Sequence, residues 1–224
     1  MSNGEKAGEV FIGMPCDGYI PIDVLPAYMD LKKPKHYFRT NNIVPLDAAR
    51  NQMVKEFLVK SPSATHMLLW DSDVKPEAEH LMMLWEHDEP IVSGLLFKKL
   101  PPFEPLMSLI TMDQYGNRGY VPLKMWEDGK PYYVDAVGLG FILIRKDVFQ
   151  NIPYPWFKFT DLSEDYYFCQ KARDAGYKIK VDTRVIPDHI SDRLPITKDI
   201  FARYQQDLIA KQVMYRIGKE TDRS

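Results

Sequence analysis

Short apolar runs alternate along this chain with stretches whose apolar positions recur every three or four residues. The runs are EVFIGMPC (9–16), THMLLWDSD (65–73), PIVSGLLFKK (90–99), the centre of VDAVGLGFILIRKDVF (134–149) and KIKVDTRV (178–185). Runs of this length bounded by Pro, Gly or Asp predict buried strands. Lys35 to Arg39 predicts a further, less apolar strand. In PLDAARNQMVKEFLVKS (45–61), Leu46, Ala49, Met53 and Phe57 recur beside Val54 and Leu58, which predicts a helix ended by Ser61-Pro62-Ser63. KPEAEHLMMLWEH (75–87) predicts another, with Pro76 in its first turn. LSEDYYFCQKARDAGY (162–177) predicts a third, which Ser163 can cap and Gly176 can stop. The tail, 195–218, predicts a last helix with Ile200, Tyr204 and Leu208 in register, followed by Ile209, Val213 and Ile217.

Strand and helix alternate, which predicts an α/β fold with a largely parallel sheet. The stretch 100–134 breaks the rhythm with Pro101, Pro102, Pro105, Pro122, Pro131 and the turn signal YGNRG. It predicts a β-rich insertion or long loops over one end of the sheet. The expected organisation is one catalytic domain over 1–190, its halves being 9–99 and 100–190, with a helical extension over 191–224.

Composition narrows the function classes. The chain has 224 residues, 45% hydrophobic and 27% charged, with a formal net charge of −2. No global positive field draws it to nucleic acid. Cys16 and Cys169 match no zinc or thioredoxin spacing, and such sparse cysteine fits a reducing compartment. The polar MSNGEKAGEV is no secretory signal, and the apolar stretch Ala136–Ile144 is too short to span a bilayer. The expected location is the cytoplasm. Peripheral membrane contact or a homodimer through the C-terminal helix stays open, since Lys198, Arg203, Lys211 and Arg216 flank its apolar face. Acidic residues interrupting its polar face favour simple packing.

Candidate chemistry lies where the strands end. Asp71 and Asp73, separated by Ser72, follow the apolar Leu68-Leu69-Trp70. Ligands of open α/β sheets bind beyond the carboxyl ends of strands, and paired carboxylates suit Mg²⁺ or Mn²⁺. The competing reading is a solvated turn with Asp73 capping the next helix. Glu164 and Asp165 open a helix, where the dipole favours negative charge and keeps a carboxyl pKa low. His189 follows the last strand beside Asp188, which can fix the imidazole tautomer. Gly138 and Gly140 precede their strand, the wrong order for a dinucleotide fingerprint; they suit a close approach of backbone to a ligand.

In this order the motifs AARNQMV, LLWDSDVKP, VDAVGLGFILIRKDVF and SEDYYFCQKARDAGYKIKVDTRVIPDHI resemble a glycosyltransferase of the GT-A fold, family 2 type. The resemblance covers most of 45–99 and 134–190. It implies a Rossmann-like, mixed and mostly parallel sheet flanked by helices, closed by a C-terminal helix. It further implies that Asp73 and His189 bind Mn²⁺ or Mg²⁺, with Asp71 meeting the ribose or completing the metal shell through water. Pro15, Cys16, Asp17, Arg50, Asn51, Asp71 and Ser72 would hold the nucleotide, UDP first and GDP second. The acidic residue that reads the base has two candidates, Asp17 and Asp47. Asp165 would be the catalytic base with Glu164 beside it. Gly138, Gly140 and Trp156 would shape the site of an unidentified acceptor. The expected reaction is inverting transfer of a sugar from a nucleoside-diphosphate sugar to a hydroxyl. The alternatives are a retaining enzyme of the same fold, a phosphatase with Asp71 as nucleophile, a nucleotidyltransferase and a nucleotide-sugar-binding module without catalysis.

Overall fold

The computed structural model describes residues 8–191 and 195–221, with residues 195 and 210–221 as backbone alone. In chain order the first half forms β1 (Glu9–Pro15), α1 (Val24–Asp30), β2 (His36–Asn41), α2 (Leu46–Lys60), β3 (Ala64–Trp70), β4 (Val74–Lys75), α3 (His80–Glu86) and β5 (Ile91–Gly94). The hairpin strands β6 (Met107–Met112) and β7 (Arg118–Pro122) follow. Then come β8 (Pro131–Val134), β9 (Ala136–Val137), β10 (Phe141–Arg145), α4 (Lys146–Asn151), α5 (Glu164–Asp174), β11 (Ile179–Asp182), β12 (Asp188–Ile190), β13 (Pro195–Ile196) and α6 (Lys198–Thr221).

The main sheet has seven strands in the order β2-β1-β3-β10-β5-β11-β8. β2, β1 and β3 run parallel, as do β5 and β11. β10 enters antiparallel between β3 and β5, and β8 closes the far edge antiparallel to β11. The sheet is therefore mixed but mostly parallel.

Both faces are covered, which explains the uninterrupted apolar runs. Successive strand residues point to opposite sides. Phe11, Met67 and Leu69 join Met53 and Phe57 of α2 and Phe168 of α5 on one face. Val10, Ile12, Leu68 and Trp70 join Leu81 and Leu84 of α3 on the other. Burying one such large side chain contributes roughly 1.5–3 kcal/mol.

Two local expectations change. The helix predicted over 75–87 begins only at His80, because Val74 and Lys75 pair with β12 as an extended strand. The strand predicted over 90–99 leaves the sheet after Gly94, and Phe97 instead bridges to Pro105. The segment 100–134 is β-rich as expected: β6 pairs with β7 on one side and with β9 on the other. α6 starts against this region. Phe201 stacks on Phe97 and Trp126, and Tyr204 meets Phe103 edge-on. Ile200 packs on the core too, so the first turns of the tail stripe cover the chain's own domain. The side chains of Val213, Ile217, Lys211 and Arg216 lie outside the described residues. Among the described residues no helix is long and apolar enough to cross a membrane.

Candidate active site

The topology brings four chain ends to one edge of the sheet. β3 finishes there at Trp70. α2, entered from β2, begins there; so does α5, which leads back into β11. β10 runs the other way, so its first residue, Phe141, lies opposite Trp70.

Beyond β3 the chain turns tightly. The Val74 N–H donates to the Asp71 carbonyl at 3.0 Å, and the buried Trp70 indole donates to the Val74 carbonyl at 2.7 Å. The Asp-Ser-Asp segment is thus a turn between two strands, and Asp73 caps no helix. The Asp71 N–H donates to the Gly140 carbonyl at 2.8 Å. A Cβ on Gly140 would stand 3.1 Å from Asp71 Oδ2 and 2.8 Å from Leu96 Cδ1. Gly140 is needed for this close approach and sits beneath the carboxylate turn. Gly138 faces Leu106 instead, where a Cβ would come within 3.1 Å.

A buried guanidinium joins the two acidic motifs. The Arg50 side chain is 1% exposed. Its Nη2 donates to both oxygens of Asp71 at 2.9 Å. Its Nη1 donates to Glu164 Oε1 at 2.9 Å and to Asp165 Oδ1. Burial opposes the charge of Arg50, but Asp71, Asp165 and Glu164 outweigh it and push its pKa up. Burial raises the Asp165 pKa, and Asp71 adds to that while Arg50 opposes it. Glu164 is likewise raised by burial and by Asp165. Both shifts run opposite to the low pKa expected from the helix dipole, with desolvation and neighbouring negative charge as the raising causes. Ser163 does cap α5, accepting from the Tyr166 N–H at 3.3 Å.

Asp73 faces the other way. Its carboxylate meets Lys99 and lies 3.6 Å from His189 Nε2. Burial works against its charge, yet His189 and Lys99 hold its pKa down to about 2. His189 is fixed from behind. Its Nδ1 lies 2.7 Å from the Phe97 carbonyl, which can only accept. Nδ1 therefore carries the hydrogen, and in the neutral ring the Nε2 lone pair points to the Asp73 side. The backbone locks the pair together: the Ile190 N–H donates to the Asp73 carbonyl at 2.7 Å.

Two adjoining clefts open on this edge. One, of about 290 Å³, is lined by Pro15, Cys16, Asp17, Ile43, Val44, Leu46, Asp71, Ser72 and Asp73. The other, of about 260 Å³, shares Asp17, Ser72 and Asp73 and adds Tyr19, Lys99, Ile190 and Ser191. The structure thus gathers Pro15, Cys16, Asp17, Asp71, Ser72 and Asp73 on one wall, with His189 touching Asp73.

Other expected residues stand elsewhere. Arg50 is buried with Nη1 and Nη2 on carboxylates and Nε without a hydrogen-bond partner, and it lines neither cleft. Asn51 is buried, and its amide is used up inside the fold. Its Oδ1 accepts from the Trp156 and Phe157 N–H groups, and its Nδ2 donates to the Asp47 and Phe157 carbonyls. Asn51 pins the segment before α5 onto α2. Trp156 lies in the core, its indole donating to the Phe149 and Ile152 carbonyls at 2.9 Å, and it shapes no open acceptor surface. Asp47 accepts from the Phe159 N–H at 3.0 Å, which leaves Asp17 as the acidic residue on the cleft.

A metal ion fits this donor set in a limited way. Among the described residues no group of three or more His, Cys, Asp or Glu side chains is placed to hold a metal ion. Arg50 donates to both oxygens of Asp71, so that carboxylate has only its remaining lone pairs to offer the cleft. Asp73, on the cleft wall, and the oriented Nε2 of His189, 3.6 Å from it, are the other donors of this set. Mg²⁺-like ions commonly bind through one or two protein groups plus substrate phosphates. Lys99 and the apolar wall of Ile43, Val44 and Leu46 were not foreseen. Lys99 had a faint signal, a Lys-Lys pair just past an apolar strand; Ile43 and Val44 lay in a segment without periodicity, and Leu46 read as part of a helical face.

No protein-family model matches the chain, and no curated protein matches it. Solved structures do. A197 from STIV is similar over 85% of this chain and 91% of its own, with a TM-score of 0.62 and 16% identity. GalNAc-T7, crystallised with UDP, GalNAc and Mn²⁺, is similar over 83% of this chain at a TM-score of 0.53 and 12% identity. This chain spans only 44% of that protein's length. The catalytic domain of Drosophila beta1,4galactosyltransferase 7, in complex with xylobiose, is similar over 83% of this chain and 71% of its own. Its TM-score is 0.51 and its identity 16%. The architecture is that of the GT-A fold, a mixed, mostly parallel sheet between helices with a helix at the C-terminal end.

Proposed function

We propose that this chain is a metal-dependent glycosyltransferase. It moves a sugar from a nucleoside-diphosphate sugar, UDP first and GDP second, to an acceptor hydroxyl with inversion. One observation carries the reading: a single buried guanidinium holds Asp71, on the cleft wall, and Asp165, 24% exposed, on its two sides. The donor cleft and a candidate base are thereby set at a fixed separation. The GT-A fold and the UDP and Mn²⁺ found with GalNAc-T7 support the choice of donor class.

Pro15, Cys16 and Asp17 would meet the nucleotide base, and Asp71 and Ser72 the ribose. Asp73 and His189 would hold Mn²⁺ or Mg²⁺. Bound there, the ion supplies positive charge to the departing diphosphate. Asp165 takes the proton of the acceptor hydroxyl. The hydroxyl oxygen then forms its bond to the anomeric carbon from the face opposite the diphosphate. The bond from that carbon to the diphosphate oxygen breaks, and the nucleoside diphosphate leaves with the electron pair. The raised pKa of Asp165 makes it a stronger proton acceptor than an ordinary aspartate. The phosphatase alternative is weakened, because an Asp71 nucleophile would have both oxygens tied to Arg50.

The test is thermal unfolding with UDP, GDP and other nucleoside diphosphates, with and without Mn²⁺. A ligand at 100 times its dissociation constant stabilises by about 2.7 kcal/mol. The expected result is Mn²⁺-dependent stabilisation by one diphosphate, abolished in Asp73→Asn. Wild-type stabilisation by Mn²⁺ and nucleotide in Asp73→Asn would sink the reading.

A further inference from the structure

The acidic wall of the cleft raises an electrostatic difficulty. Asp17, Asp71 and Asp73 line it, and a nucleoside diphosphate is multiply anionic. Arg50 cannot help, being buried among three carboxylates. Among the described residues one Lys or Arg side chain reaches the lining: Lys99, which is 35% exposed and meets Asp73 Oδ2. Its neighbour Lys98 is engaged with Glu104 at 2.9 Å.

Lys99 sits where the metal's charge belongs. Its ammonium is on Asp73 Oδ2, while His189 Nε2 approaches Oδ1 of the same carboxylate at 3.6 Å. A divalent ion held by Asp73 and His189 places like charge within contact distance of that ammonium. The repulsion is strong in a partly desolvated cleft. The lysine stem is flexible and half-exposed, its ammonium has three donors, and among the described residues Asp73 is the carboxylate it meets. The freed ammonium remains within the cleft of Asp17, Tyr19, Ser72 and Ser191, where the phosphates of a nucleotide bound along this wall would lie.

We infer that Lys99 is a further binding and catalytic residue of the site, exchanging Asp73 for the diphosphate when a divalent ion binds. In the free protein it neutralises Asp73. In the loaded site its ammonium donates to the phosphate oxygens and shares the charge of the leaving group. The inference rests on the proposed nucleoside-diphosphate chemistry of the cleft and names a residue for it.

The exchange makes two effects of opposite sign, which a structural ion pair would not. Removing the ammonium frees Asp73 for the metal but takes a donor from the diphosphate. Lys99→Met keeps the stem and drops the charge; Lys99→Arg keeps a charge. By calorimetry, Mn²⁺ alone should bind Lys99→Met more tightly than wild type. In saturating Mn²⁺, UDP or GDP should bind Lys99→Met about 10- to 100-fold more weakly, the scale of one charge-assisted hydrogen bond. The free nucleoside should bind both alike, and Lys99→Arg should recover part of the diphosphate affinity. Weaker Mn²⁺ binding in Lys99→Met, or an unchanged diphosphate affinity, would overturn the exchange. A wild-type protein that binds no nucleoside diphosphate would instead remove the glycosyltransferase reading and the diphosphate half of the exchange with it. The Mn²⁺-alone comparison separates the two failures.

Discussion

Nη2 of Arg50 lies 2.9 Å from each carboxylate oxygen of Asp71, in a guanidinium that is 1% exposed. The same group reaches Glu164 and Asp165 through Nη1, so one side chain of α2 joins the end of β3 to the start of α5.

Removing that cation leaves three carboxylates around an unfilled cavity. Arg50→Met should destabilise the fold by about 3–5 kcal/mol, the usual cost of stranding buried charge. Arg50→Lys should cost less but still lose the forked contacts. Adding Glu164→Gln and Asp165→Asn to Arg50→Met should recover part of the loss, because less negative charge then stays unpaired. Urea unfolding midpoints measure all of these. An Arg50→Met midpoint equal to wild type would show that the cluster is not held together as described.

In the proposed mechanism Asp165 serves the chemistry and not the donor. Asp165→Asn should lower turnover roughly 10²–10⁴-fold while nucleoside-diphosphate affinity stays nearly unchanged. The folded pKa is raised, so the active ionised form is lost on acidification at a higher pH than for an ordinary aspartate. The acid limb of the wild-type rate profile should therefore lie above about pH 4, the ordinary aspartate range. It belongs to the Glu164–Asp165 pair rather than to either alone. Loss of nucleotide affinity in Asp165→Asn would move the residue into the donor site. A product retaining the donor's anomeric configuration would replace the inverting mechanism.

The two thiols report on the cleft from opposite environments. Cys169 is buried, and burial pushes its pKa up to about 12. Cys16 is half-buried and lines the cleft. In the native protein iodoacetamide should label Cys16 and spare Cys169, and UDP or GDP with Mn²⁺ should slow the Cys16 reaction. Peptide mapping by mass spectrometry reads both sites. Unslowed labelling under saturating nucleotide would place the base away from Pro15–Asp17.

Away from the cleft, Asp182 supplies a pH-dependent share of stability. It is fully buried at the end of β11, accepting from His87 Nε2 at 2.8 Å and Arg184 Nη2 at 2.6 Å. Burial works against its charge, but Arg184 and His87 hold its pKa below the ordinary value. A lowered folded pKa contributes stability that is present above the unfolded pKa and lost as pH falls towards the folded one. Asp182→Asn should therefore cost about 1–3 kcal/mol at pH 7, a difference that shrinks once pH falls below about 4. Paired denaturation curves at several pH values test it, and a gap constant down to pH 3 would reject it.

The sequence by itself determined the layers and most of the cleft wall. Strands buried on both faces need continuous apolar runs, so β1, β3, β10 and β11 were visible as such runs. α2 and α5 showed their buried faces by spacing, and the cap at Ser163 and the stop at Gly176 are local chemistry. Asp71, Asp73 and His189 could be marked because polar groups at strand ends stand out against those runs. Local pattern could not say that β10 runs antiparallel between β3 and β5, since the order of strands depends on contacts across the whole chain. Nor could it say which polar residues face a ligand. Arg50 and Asn51 read like nucleotide contacts but are spent inside the fold, one on carboxylates 21, 114 and 115 residues away, the other on the backbone before α5. Lys99 meets Asp73 only because the chain after β5 passes it in space. Partners of buried charge are chosen by distance in space, and that is decided by the tertiary structure alone.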